Sequence, residues 1–234
     1  MSLFPQRIMT GRFRPVVTAY YFKEWRGYEM DDHTHPSMEI MYVISGACRV
    51  ELGPGTDGRR AYGLKKGEFI FLNAAVPHRL VVPETCRMLN VEFRFAERSG
   101  GLPSISELAA EDPALASLIA CPRDHLVLRE PHDIYNALKA LVLELDNPDG
   151  REPLVQILLS ELLLRIAALH KESEAADEPG AERYVRQAAA FMHEHYDRPL
   201  RIADIAASVN LHPVYLQRIF KRSTGQSVMG YLTA

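Results

Sequence analysis

Residues 199–232 read PLRIADIAASVNLHPVYLQRIFKRSTGQSVMGYL, and the rest of the chain is best understood outward from them. Ile202, Ile205, Ala206 and Val209 recur at helical spacing, and so do Tyr215, Leu216, Ile219 and Phe220. Only Asn210-Leu211-His212 separates the two patterns. Pro213 then stands where a helix's first residue would be, a position at which a missing N–H does no harm. Two short helices meeting across so tight a turn make a helix-turn-helix. Ala206 suits the crossing, because a methyl side chain lets two backbones approach. If Tyr215, Leu216, Ile219 and Phe220 point inward, then Val214, Gln217, Arg218, Lys221 and Arg222 are left outside. That outer face carries the chemistry of a major-groove reader: an Arg for guanine O6/N7, a Gln for adenine N6/N7, an aliphatic group for a thymine methyl, and basic neighbours for phosphates. Periodicity alone leaves a second reading open, since crossed helices with a basic face also occur in proteins that never touch DNA. Val185, Ala188, Ala189, Met192 and Tyr196 mark a preceding helix that ends at Asp197-Arg198-Pro199.

Charge is divided along the chain. The 234 residues carry 27 Lys+Arg and 30 Asp+Glu, a net of −3, yet residues 181–234 hold seven basic and four acidic side chains, leaving −6 for residues 1–180. A mildly basic tail on an acidic body suggests two tasks. With 47% hydrophobic residues the chain is of ordinary globular composition, which excludes disordered, collagen-like and fibrous classes. No uninterrupted apolar run reaches the roughly 18–20 residues of a bilayer crossing, and the N-terminus lacks a signal-peptide pattern, so a soluble, cytoplasmic protein with no membrane partner is expected. Cys48, Cys86 and Cys121 are odd in number and widely spaced, which suggests buried thiols.

Residues 173–181, within the acidic, Pro-Gly-bearing stretch ESEAADEPGA, read as a linker. Before it, Ile134, Leu138, Leu141, Val142 and Leu145 share one helical face. The pattern stops at Asn147-Pro148-Asp149-Gly150, and Leu154, Ile157, Leu158, Leu162, Ile166 and Leu169 resume it. This is a helical hairpin over residues 131–172. Leu159, Leu163 and Leu164 widen its second helix beyond one stripe. The hairpin either covers the neighbouring β domain or, as favoured here, buries the surplus in a coiled-coil-like homodimer contact.

Residues 1–130 form the remaining domain. Up to about Ala96 the apolar residues fall in short runs (VVTAYYF, MEIMYVIS, CRVEL, EFIFLN, RLVV, MLNVEFRF) broken by turn signals such as GPGTDG at 53–58 and KKG at 65–67. That rhythm predicts a β-sandwich or barrel of short strands, with 97–131 a mixed stretch. Within it Gly27, His33, His35, Glu39 and Gly46 are spaced G-x5-H-x-H-x3-E-x6-G, and His78 follows after Gly67. Alternate residues of a strand share a face, so His33 and His35 are placed to enter one cavity, within reach of Glu39. Tyr42, Phe69 and Phe71 are read as core.

Two resemblances follow from these residues. The stretch 199–232 is similar to the first helix-turn-helix of the AraC (AraC/XylS) family of bacterial transcription regulators, in its aliphatic-acidic-Ile-Ala start, its Tyr-Leu-x-Arg-x-Phe-Lys, its Thr-Gly-x-Ser and its closing Tyr-Leu. Carried over position by position, the resemblance implies base contacts by Val214, Gln217 and Arg218, with His212, Lys221 and Arg222 as supporting or phosphate contacts. Arg201 departs from the family's Ser or Thr cap and His212 from its usual Ser. The family has a second such unit, and the chain stops where the joining helix would begin, so it is expected to be a fragment or a shortened relative. The histidine pattern resembles the first motif of the cupin barrels, whereas the second motif is only partly kept, with Asn73, Ala75 and Val82 at its Pro, Gly and Asn places.

In cupins with the full set, residues matching His33, His35, Glu39 and His78 hold one divalent transition metal such as Mn, Fe, Ni or Zn. The alternative is that they line an organic-ligand pocket. The expected architecture is α+β and multidomain: a cupin-like β-barrel that senses an effector, sugar-like in chemistry or a metal, then the dimerising hairpin, and an all-α helix-turn-helix over 182–234. The expected function is a ligand-responsive, sequence-specific DNA-binding regulator, with operator DNA, a small-molecule effector, a second copy and RNA polymerase as partners, and no catalysis. The rival reading is a metal-dependent cupin enzyme, a dioxygenase or isomerase, with an accessory tail.

Overall fold

The computed structural model describes residues 3–53, 58–98, 100–129, 133–177, 181–196 and 200–232, without the side chains of 175–177 and 181. The chain divides into two compact units, residues 1–171 and 172–234.

The first unit is built on one antiparallel sheet. Its strands are β1 (Phe13–Glu29), β2 (Met38–Leu52), β3 (Arg60–Lys65), β4 (Glu68–Leu72), β5 (His78–Glu97) and β6 (His125–Arg129). They are ordered β1-β5-β2-β4-β6, with β3 also on β2. The short runs of the sequence are joined into longer strands than expected: MEIMYVIS and CRVEL make one strand, and RLVV and MLNVEFRF another. The reason is that breaks read as turns are bulges, with register shifts at Val43/Ser45 and Gly46/Arg49 that bend the pair without ending it. At Gly46 (φ +76°) the strands come so close that a Cβ would lie 2.0 Å from the Thr85 carbonyl oxygen. The turn expected at KKG is present, with Gly67 at φ +80°; most of GPGTDG lies outside the described residues.

Side-chain alternation then separates two cores. Met41, Val43, Ile70, Leu72 and Met88 fill the inside of the curled sheet. Ile40, Tyr42, Phe69, Phe71, Val91 and Phe93 face outward beneath the helices. The stretch 97–131 holds two of these helices, α1 (Ile105–Glu111) and α2 (Pro113–Ala120), besides β6. Ser104 starts α1 with a capping box completed by Glu107, and the Asp112 carboxylate accepts from Ala114 and Leu115 N–H to start α2.

Helices α3 (Asp133–Leu145) and α4 (Glu152–Asp177) are separated by the Asn147–Gly150 turn. The segment read as a linker is therefore helical through Asp177, as its run of Glu and Ala allows. Leu159 and Leu163, expected to serve a partner subunit, are fully buried in the outer core together with Leu162, Ile166 and Ala167. Most of the surplus is thus covered within the chain, while Leu164 is half-buried. Among the described residues α4 is the one helix long and apolar enough to cross a bilayer, and Leu159, Leu162, Leu163, Ile166 and Ala167 place part of its apolar surface in the core. Among the described residues, the large apolar side chains left in solvent on the two helices are Leu143 and Ile157, 60% and 50% exposed.

The second unit has its own core. Val185, Ala188 and Met192 of α5 (Ala181–Glu194) pack with Ile205 and Ala206 of α6 (Ile202–Ser208), with Leu216, Ile219 and Phe220 of α7 (Pro213–Thr224), and with Val228 of α8 (Val228–Leu232). Tyr196, expected on the inner face of the first helix, lies beyond its end and in solvent; Asp197-Arg198-Pro199 falls outside the described residues. Ala206 is fully buried at the crossing of α6 and α7.

Candidate functional sites: a histidine-carboxylate cluster and a basic recognition helix

The cluster is assembled from three places in the sheet. His33 and His78 exchange backbone hydrogen bonds, N–H to carbonyl, at 3.1 Å in both directions. Glu39 pairs across the ladder with Glu92, and Met41 with Asn90, so Glu39, Asn90 and Glu92 share the inner face. The ring centroids of His33, His35 and His78 lie 4.3–5.7 Å apart. Potential ligand atoms of His33, His35 and His78 fall within 4.8 Å of one another, as do those of His35, Glu39 and Glu92. The structure thus brings all four sequence-singled residues together and adds Glu92, which the motif did not indicate.

Each ring is held the same way. Nδ1 of His33 lies 3.1 Å from the Asp31 carbonyl, Nδ1 of His35 2.9 Å from that of Ser37, and Nδ1 of His78 2.8 Å from that of Val76. A carbonyl only accepts, so Nδ1 carries the proton in each, and in the neutral rings every Nε2 presents a lone pair. Those lone pairs meet a carboxylate. Glu39 Oε2 is 3.2 Å from His35 Nε2 and 2.9 Å from His78 Nε2, while its Oε1 accepts from Asn90 Nδ2 at 2.8 Å. Acceptors so placed repel unless positive charge sits among them, on the imidazoles as protons or between them as a cation. His78 Nε2 and Asn90 Oδ1 are buried without a hydrogen-bond partner among the described residues. Unsatisfied buried atoms of this kind, with rings fixed through their other nitrogen, are what a transition metal's ligand shell requires.

Without a cation, the electrostatics put the positive charge on the imidazoles. Burial pushes the Glu39 carboxyl up, but His35 and His78 outweigh it and bring it to about 2. The hydrogen bond to Glu39 raises His35 against the opposing effect of burial. Glu92 is raised, by burial first and by Glu39. Nearby, Tyr21 is raised by burial and by both carboxylates. Tyr21 and Trp25 meet edge-on, and Trp25 stacks on Tyr28 with centroids 4.1 Å apart, an aromatic row beside the inner core that the sequence reading did not single out. Outside the cluster, Glu51 accepts from Arg49, Arg59 and Arg79; Arg59 also pairs with Asp32, and Arg79 with Glu29. This network fastens the segments on either side of His33 to the strand that carries His78.

In the second unit the turn depends on Asn210, at φ +53°, a conformation Asn tolerates better than most residues. His212 caps α7, its Nδ1 accepting from Val214 N–H at 3.4 Å, and Gly225 ends the helix in the left-handed conformation. Arg201, which departs from the family's capping residue, makes no side-chain cap bond, and the Asp204 carboxylate accepts the Arg201 N–H at 2.9 Å. His212, Val214, Gln217, Arg218, Lys221 and Arg222 are all exposed, Val214 at 67%. One inward assignment is corrected. Leu216, Ile219 and Phe220 are buried, but Tyr215 is 38% exposed. It precedes Leu216 by one residue, which turns it about 100° away from the core.

Comparison with known proteins identifies the domain in which each cluster lies. The profile of the AraC-like ligand binding domain matches residues 15–167, and that of bacterial regulatory helix-turn-helix proteins of the AraC family matches 192–233. The chain is 26% identical over 204 residues to an uncharacterized HTH-type transcriptional regulator, YisR, of Bacillus subtilis, covering 82% of this chain and 67% of that one. It is 32% identical over 80 residues to the Msm operon regulatory protein of Streptococcus mutans, covering 32% of this chain but only 29% of that protein. Among solved structures, ToxT of Vibrio cholerae aligns over 94% of this chain and 79% of its own, at 13% identity and a TM-score of 0.39. A cupin-2 domain protein of Shewanella frigidimarina aligns over 34% and 79%, at 25% identity and a TM-score of 0.27. With one profile spanning most of the chain and the other its recognition helix, the chain belongs to the AraC family of helix-turn-helix transcription regulators, joining a ligand-binding domain to a DNA-binding unit.

Proposed function

We propose that the chain regulates transcription by reading operator DNA with Val214, Gln217 and Arg218, supported on phosphates by His212, Lys221 and Arg222, under the control of an effector bound in the cupin-like lumen. The observation that carries this reading is the exposure of those side chains along α7, directly after a tight, capped turn. The donor set of His33, His35, Glu39 and His78, with Glu92 in reach, suits one divalent transition metal such as Mn, Fe, Ni or Zn. Bound there, the metal would supply coordination positions for an oxygen-rich effector, sugar-like in chemistry. The chain's own part is to orient the rings through backbone carbonyls and to hold Glu39 ionised.

The effector acts only by binding two arrangements of the protein unequally, since equal affinity shifts nothing. The protein works in the cytoplasm as a homodimer, with RNA polymerase as its partner at the promoter, and not as an enzyme. Dimerisation rests on Leu143 and Ile157, the large apolar side chains that the described parts of α3 and α4 leave in solvent.

Arg218→Ala tests the reading. It is expected to cost about 1–3 kcal/mol at the preferred sequence and to relax preference at one base pair, while Lys221→Ala weakens all sequences alike and lowers the salt slope by about 1. Unchanged base preference in Arg218→Ala refutes the recognition face. Turnover of small oxygenated substrates, dependent on His78, would favour the enzyme reading instead.

A further inference from the structure

Tyr215 is a large ring that the core of its own unit does not use. Leu216, Ile219 and Phe220 provide the buried face of α7, and the Tyr215 ring stands outside it, one helical turn before Arg218. The Arg218 guanidinium carbon lies 5.1 Å from the centroid of that ring. Residues three apart on a helix are neighbours, and a guanidinium over an aromatic face is held there by the ring's quadrupole. Among the described residues no carboxylate pairs with Arg218.

A guanine edge is recognised by two parallel N–H donors in one plane, so the guanidinium must arrive in a single orientation, whereas a free arginine samples many rotamers. From this geometry we infer that Tyr215 is a positioning residue for base recognition. Its ring restrains Arg218 before DNA arrives, so the sequence preference of the recognition helix depends on a side chain that need not touch a base. The inference rests on the DNA-reading role given to Arg218.

The test uses the full chain and a pool of DNA duplexes randomised in sequence, from which bound duplexes are recovered and sequenced. The chains compared are wild type, Tyr215→Phe, Tyr215→Leu, Arg218→Ala and the Tyr215→Leu/Arg218→Ala double variant. Leucine is a good helix former, and thermal unfolding followed by circular dichroism reports whether each variant is folded. Tyr215→Leu is expected to flatten preference at the same base pair as Arg218→Ala and to weaken the best sequence about two- to fivefold. Tyr215→Phe keeps the wild-type profile, and the double variant is no worse than Arg218→Ala alone. The inference is overturned if Tyr215→Leu weakens all sequences equally with base preference intact, or if its loss adds in full to that of Arg218→Ala. Should Arg218→Ala itself leave the preference unchanged, the recognition face is wrong and the role of Tyr215 falls with it.

Discussion

Nε2 of His78 lies 2.9 Å from Oε2 of Glu39, both side chains deeply buried, yet the two are not aligned as a hydrogen bond. They converge on a shared space instead of bonding to each other. If that space holds a metal, protein purified without a polyhistidine tag carries about one equivalent of a divalent transition metal by elemental analysis. His78→Ala then lowers affinity by more than the 10–100-fold typical of losing a supporting contact around such a site. Absence of metal from the wild type, after exposure to Mn, Fe, Ni and Zn in turn, rejects the metal and leaves an organic-ligand pocket.

Glu51 is held by three arginines. Hydrogen bonds from Arg79 and Arg59 lower its carboxyl to about 2, against burial, from an ordinary 4.5. A depressed acid stabilises the fold fully above its unfolded value and ceases to do so as pH falls through its folded one. Glu51→Gln is therefore expected to cost about 1–3 kcal/mol at neutral pH, less than a fully buried pair because Arg49 and Arg79 reach water. The gap between variant and wild type should narrow from about pH 4.5 down to about 2. Thermal unfolding at both ends of that window decides it, and a constant gap refutes the assignment.

Asn210, in the turn of the helix-turn-helix, has φ +53°. A β-branched side chain resists this conformation, so Asn210→Val should lose roughly 1–2 kcal/mol while Asn210→Gly stays near wild type. Equal melting temperatures for Asn210→Val and wild type would show that the turn can be remade without the left-handed residue.

The exposed Leu143 and Ile157 give the dimer its test. Light scattering should find the wild type dimeric and the Leu143→Glu/Ile157→Glu variant monomeric, with its melting temperature little changed because neither position is in the core. A monomeric wild type ends the homodimer proposal.

Much of this was legible in the sequence where periodicity and chemistry coincide. Leu216, Ile219 and Phe220 announce a buried face by spacing alone, and His33 and His35 share a side because strands alternate. Tyr215 misled because an aromatic next to Leu216 fits the edge of an apolar stripe whether it is covered or not. Glu92 and Asn90 were invisible for another reason: they enter the site through the pairing of β5 with β2, which no local pattern states. The two helices in 97–131 carried a readable signal in Ser104-x-x-Glu107 and Asp112-Pro113, outweighed by the irregular apolar pattern around them. Leu159 and Leu163 showed how much apolar surface α4 has, but their spacing could not tell which body would cover it.

The tight crossing at Gly46 acts as a stop on sliding. Were β2 to slip by one residue along β5, a side chain would be driven into the Thr85 carbonyl, and Glu39 would swing from the lumen to the opposite side of the sheet. The meeting of Glu39 with Glu92 and Asn90 is thus governed from a distance, by a missing methyl seven residues further along the strand.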